Sequence, residues 1–162
     1  MNRELEERLK EMLKKFTFNE DQVEKIIEGL RYDINVSIYA DLKYDADQMF
    51  EIREGLLNNI DVSQYSDPSI SVENMFIIRS NLEGYNMDLY KDKGYNIDQL
   101  YEIRYGLEKG LNVSIYSNPK YNWEQMYEIK EGLKLNLDVS QYADPKYDWE
   151  QMQEIREGLL QK

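Results

Sequence analysis

Apolar residues in this chain recur at helical spacing inside short segments, the spacing then breaks, and the same break returns about every 26 residues. In residues 47–56, Met49, Ile52 and Leu56 fall on one helical face, and Asp47, Glu51 and Glu54 project away from it. Equivalent blocks open at Gln22, Gln48, Asn74, Gln99, Gln125 and Gln151, at spacings of 26, 26, 25, 26 and 26 residues. Such a period predicts a stack of repeats, each of which buries its apolar face only against its neighbours.

The ends of each helix are written in the polar residues. Asn19, Asp45, Ser71, Asn96, Asn122 and Asp148 each stand three residues before the Gln or Asn that opens a block, the spacing of a capping box. Phe18, Tyr44, Ile70, Tyr95, Tyr121 and Tyr147 precede these caps. With Val23, Met49, Met75, Leu100, Met126 and Met152 they form hydrophobic staples. Asn59, Gly110 and Asn136 suit a left-handed position just past the helix end. A short segment follows, in which Ser37, Ser63, Asp88, Ser114 and Ser140 are competent caps for one further helical turn, and Pro68, Pro119 and Pro145 close it. The expectation is an all-α solenoid of helix, turn and short helix. Residues 1–16, with Leu5, Leu9, Met12 and Leu13 at helical spacing, form an N-terminal capping helix. Six repeats follow at 17–43, 44–69, 70–94, 95–120, 121–146 and 147–162 within one domain. The last is truncated before its short helix, either a C-terminal cap or a junction for self-association.

Composition closes more doors than it opens. The chain of 162 residues has no Cys and no His, so thiol nucleophiles, Ser-His-Asp triads, ordinary zinc sites and disulfides are excluded. No run has EF-hand spacing, no glycine-rich phosphate loop is present, and no carboxylate pair is set apart for acid–base work. The expectation is a protein without catalytic residues, metal or cofactor. Apolar runs are too short to span a membrane, and the charged start lacks a signal-peptide core, which points to the cytoplasm. The net charge of −12 argues against direct nucleic-acid binding, which needs Lys and Arg.

Two patterns remain as candidate sites. On a helical wheel the second helical position, with Asp47, Glu73, Asp98, Glu124 and Glu150, falls on the outward side together with Glu51, Glu102 and Glu128 one turn later and Glu54 and Glu131 beyond. These ten residues form the candidate acidic face. With their counterparts Asp21, Glu28, Glu154 and Glu157 they number fourteen. At ~8–10 Å between stacked helices, fourteen acids average one charge per ~3.6 Å, close to the ~3.4 Å of one DNA strand. A solvated face that keeps the protein soluble accounts for the same residues. Arg53, Arg79, Arg104, Lys130 and Arg156 flank the apolar face, where stacking on a neighbouring unit's Tyr and pairing with an acid such as Asp67 or Asp144 would satisfy them. The five in-helix glycines, Gly29, Gly55, Gly106, Gly132 and Gly158, imply close approach of a neighbouring helix.

The third unit departs from the rest. Ile77 and Ser80 replace outward glutamates, Asn81 replaces glycine, and one residue is missing near Tyr85. Phe76, Ile77 and Tyr85 form a candidate apolar spot in acidic surroundings. The column Phe50, Phe76, Tyr101 and Tyr127 serves either burial between neighbours or a partner contact.

The string Gln-Met-x-Glu-Ile-Arg-x-Gly-Leu followed by Asp-Val-Ser-x-Tyr-x-Asp-Pro, at residues 48–56 with 61–68 and nearly so at 125–133 with 138–145, resembles a tandem helical repeat. That repeat is met in proteins of Clostridia-type gut bacteria, their phages and mobile elements. The resemblance covers about residues 16–162. It implies a mobile-element context and a binding role, not an enzyme. By analogy, a small acidic protein of that context is similar in character to anti-CRISPR or anti-restriction inhibitors. The expected partner is then a basic protein, such as a nuclease or CRISPR effector, whose nucleic-acid channel the acidic face blocks. The alternative is a structural or adaptor module that holds protein partners.

Overall fold

The computed structural model describes residues 3–162; Met1 and Asn2 lie outside the described residues. The fold is all-helical, with no strand among the described residues. Seven helices follow one another among the described residues: α1 (Arg3–Lys15), α2 (Glu20–Arg31), α3 (Ala46–Leu57), α4 (Val72–Leu82), α5 (Ile97–Glu108), α6 (Trp123–Lys134) and α7 (Trp149–Leu160). A three-residue 3₁₀ turn follows each of α2 to α6. Among the described residues, no helix is long and apolar enough to cross a membrane.

The chain resolves into two compact units, Met1–Gly84 and Tyr85–Lys162. In the first, α1 packs on α2, α2 on α3 and α3 on α4; in the second, α5 packs on α6 and α6 on α7. Within each unit a helix meets chiefly its neighbours in sequence, as a helical repeat requires. Leu9 of the capping helix is buried, and Leu5 and Met12 pack at the edge of a core built from Ile26, Leu30, Met49, Ile52 and Met75. The second unit buries Leu100, Ile103, Met126, Ile129 and Met152 in the corresponding places.

The helix starts follow the capping chemistry. Asn19, Asp45, Asn96, Asn122 and Asp148 close complete capping boxes, whereas Ser71 caps only through its own side chain. Each box glutamine uses Oε1 for the box and, in four repeats, sends Nε2 to the next repeat: Gln22 donates to the Tyr44 carbonyl at 2.7 Å, Gln48 to Ile70 at 2.9 Å, Gln99 to Tyr121 at 2.5 Å and Gln125 to Tyr147 at 2.6 Å. The cap is therefore also a staple between repeats.

Helices α2, α3, α5 and α6 end in Schellman turns. Asn59, Asn136 and Gly110 adopt φ of 57°, 54° and 68°, and Asp33 joins them at 54°. The next residue's N–H closes the motif on the in-helix glycine: Ile60 to Gly55 at 2.8 Å, Leu111 to Gly106 at 2.9 Å and Leu137 to Gly132 at 3.0 Å. The 3₁₀ turns begin earlier than expected. Asn35, Asp61, Asn112 and Asp138 stand at the cap, and the serine two residues on donates its hydroxyl back to the cap side chain at 2.5–2.6 Å.

The glycines have a different neighbour from the one expected. Tyr39, Tyr65, Tyr116 and Tyr142, at the ends of the 3₁₀ turns, lie fully buried over Gly29, Gly55, Gly106 and Gly132. Their phenols donate to the carbonyls of Lys25, Glu51, Glu102 and Glu128 at 2.9–3.1 Å. Glycine is needed for the repeat's own tyrosine, not for a neighbouring helix. In the third repeat Asn81 takes the glycine's place, and Tyr90 instead makes an edge contact with Tyr95 at 5.7 Å.

Candidate protein-binding surface

Basic and acidic columns of consecutive helices join inside each unit. Arg79 Nε on α4 donates to Glu51 on α3 at 2.9 Å, Lys130 on α6 to Glu102 on α5 at 2.6 Å, and Arg156 on α7 to Glu128 on α6 at 2.7 Å. Arg53 on α3 pairs with Glu28 on α2, because Lys25 occupies the position that carries the glutamate in α3, α5, α6 and α7. Arg53 also stacks on Phe50, Arg79 on Phe76 and Lys130 on Tyr127, at 5.0, 5.4 and 4.8 Å from the ring centroids. Burial works against the charge on Arg79, but Glu51 and Glu83 more than offset it and hold its guanidinium above the ordinary value. Lys130 also lies over Tyr105 of the preceding helix at 4.3 Å and Arg104 over Tyr85 of the preceding repeat at 4.5 Å, so the expected stacking on a neighbouring unit's Tyr holds at these two positions, while Arg53 and Arg79 stack on phenylalanines of their own helix. The acids paired with Arg53, Arg79, Lys130 and Arg156 are ones expected to face solvent. Asp67 and Asp144, the partners expected from sequence, accept hydrogen bonds from nearby turn residues instead, Asp67 from Ser69 and Asp144 from Lys146.

This divides the candidate acidic face. Glu51 and Glu128 are buried, which corrects their placement on an outward face; Glu102 is half-buried in its pair with Lys130. Glu54 pairs with Arg53 and Glu131 with Lys134, each at 3.0 Å. A helical wheel assigns one buried side per helix, but a stacked helix has a neighbour on both sides, and the second neighbour covers part of the wheel's outward half. The second helical position behaves as expected: Asp47, Asp98 and Glu150 are exposed, Glu73 and Glu124 are half-exposed, and none forms an ion pair among the described residues.

The candidate apolar spot is also corrected. Phe76 and Ile77 are 0% and 2% exposed and belong to the core, Ile77 standing in the same column as the buried Glu51 and Glu128. Tyr85 is half-buried under the Arg104 guanidinium, 4.5 Å from its ring centroid. In the remaining aromatic column Phe50 and Tyr101 are half-buried and Tyr127 is exposed.

The sequence reading missed Trp123 and Trp149. These are the chain's two tryptophans, one at the first position of α6 and one at the first position of α7. The other repeats carry Glu20, Ala46, Val72 and Ile97 there, so the indoles are not required by capping. With Glu124, Tyr127, Glu128 and Gln153 they line a groove of about 510 Å³. A large aromatic at a position that elsewhere tolerates glutamate is the signal that marks them.

No family model, curated protein or solved structure matches the chain.

Proposed function

We propose that the chain is a non-catalytic, protein-binding repeat module whose partner is a basic protein that itself handles nucleic acid. The observation that carries this reading is the fate of the charges. The inter-repeat pairs consume Arg53, Arg79, Lys130 and Arg156 internally, while the second-position carboxylates of consecutive helices stay unpaired: Asp47 and Glu73 in the first unit, and Asp98, Glu124 and Glu150 in the second. Each pair removes one acid with one base, so the whole acid excess of the composition stays on the surface offered to a partner. Its complement is a surface rich in Lys and Arg, the chemistry of a nucleic-acid channel. The repeat's resemblance to mobile-element proteins supports an inhibitor of a host defence protein, of the anti-CRISPR or anti-restriction kind. An adaptor role is the second reading, favoured by the aromatic groove between α6 and α7, which suits side-chain recognition more than phosphate mimicry.

The test is capture of partners on the immobilised chain, followed by DNA and RNA binding of the purified partner in its presence. Displacement of nucleic acid that weakens steeply with salt supports the inhibitor. The triple variant Asp98→Asn, Glu124→Gln, Glu150→Gln should fold normally and lose displacement. A partner that keeps its nucleic acid while bound supports the adaptor, and one with no basic surface overturns both forms of the reading.

A further inference from the structure

The groove between α6 and α7 combines two features that helix packing does not demand. Trp123, Tyr127 and Trp149 are 41%, 40% and 38% exposed, although large aromatics are ordinarily drawn into a core. Glu124 at the groove wall is half-buried and without an ion-pair partner among the described residues. Glu128, also on the wall, is already neutralised by Arg156 at 2.7 Å, so the charge left to the groove comes from Glu124. Aromatic faces beside a carboxylate form a receptor for a cationic side chain.

The fold uses this combination internally. Arg53 lies on Phe50 and pairs with Glu28, Arg79 lies on Phe76 and pairs with Glu51, and Lys130 lies on Tyr127 and pairs with Glu102. In α7 the aromatic of that column is replaced by Gln153, and the aromatic surface is carried by the tryptophans at the helix starts instead.

We propose that this groove binds an arginine side chain of the partner protein, the guanidinium against the indoles and hydrogen-bonded to Glu124. Arginine is favoured over lysine because its planar, weakly hydrated head stacks on ring faces while donating two parallel bonds to a carboxylate. The site gives the basic partner an anchor at one position, where the row of second-position acids gives only long-range attraction. It rests on the reading of the partner as basic.

The two tryptophans are the only ones in the chain, so fluorescence excited at wavelengths longer than the fourteen tyrosines absorb reports on the groove. Tetra-arginine amide should change the emission saturably. Tetra-lysine amide should bind at least about tenfold more weakly, and tetra-citrulline amide, of the same shape but with uncharged side chains, should give no response. Glu124→Gln should raise the dissociation constant for tetra-arginine about tenfold or more, with an unchanged circular dichroism spectrum. Equal responses to arginine and lysine, or an unaltered constant in Glu124→Gln, would overturn the assignment. A captured basic partner that binds the Trp123→Ala, Trp149→Ala variant as tightly as the parent chain overturns the groove and leaves the basic-partner reading standing. Capture of partners without basic surfaces overturns that reading itself.

Discussion

The phenol of Tyr65 occupies the space that a side chain at position 55 would fill. A Cβ built on Gly55 would overlap the Tyr65 hydroxyl outright and lie 2.8 Å from Val62 Cγ1, and Gly132 meets Tyr142 and Val139 in the same way, at 2.7 Å from the valine. At Gly158 nothing lies within 4 Å. One residue type at one repeat position thus has two energetic meanings.

Gly55→Ala and Gly132→Ala should each destabilise by ~1–3 kcal/mol through overpacking, despite the ~1 kcal/mol that alanine gains in helix propensity. Gly158→Ala should stabilise by ~0.5–1 kcal/mol, since only the propensity acts there. Urea unfolding of the three variants separates the cases; a loss of stability at position 158 equal to that at 55 would contradict the tyrosine lock.

Arg79 serves two carboxylates, Glu51 at 2.9 Å on the preceding helix and Glu83 at 2.9 Å on its own side. Arg79→Met takes a buried cation from both carboxylates and should cost ~3–5 kcal/mol. Glu51→Gln leaves Arg79 with Glu83 and should cost less. The double variant Glu51→Leu, Arg79→Met should lose much less than the two single losses combined, because it removes the buried charges together. Additive losses in denaturant unfolding would mean that the two side chains do not act as a pair.

Burial raises the pKa of Tyr39, Tyr65 and Tyr116 well above the ordinary phenol value, and that of Tyr142 to about 12. The folded state keeps protons that the unfolded chain releases near ~10. Stability from these groups is therefore complete below ~pH 10 and is lost as pH rises through the folded values. Tyr142→Phe should lose ~0.5–1.5 kcal/mol at neutral pH with its hydrogen bond to the Glu128 carbonyl, and should show a shallower fall in stability between about pH 10 and 12 than the parent chain. Parallel pH profiles for the two proteins would refute the assignment.

Gln125 bonds the Asn122 N–H through Oε1 and the Tyr147 carbonyl through Nε2, whereas Gln151 closes its capping box and stays exposed. Gln125→Glu keeps the box acceptor but turns a carboxylate toward a carbonyl, so it should destabilise by ~1–3 kcal/mol. Gln151→Glu should stay within ~0.5 kcal/mol of the parent chain. Thermal melts of the pair test whether the box glutamine also fastens repeat to repeat.

The helices, their starts and their ends were legible along the chain, because capping is local. Asn122 and Gln125 are three residues apart, and the left-handed φ at Asn59, Gly110 and Asn136 answers to residues within one turn. The exposure of Asp47 and Asp98 followed from the same local geometry. Only the tertiary structure decided what lies on the far side of each helix. Glu51 meets Arg79 and Glu128 meets Arg156 across 28 residues, so carboxylates that a single helix turns to water become buried when the next helix is laid over them. Trp123 and Trp149 are 26 residues apart in sequence and line one groove because the stacking period sets one helix start beside the next.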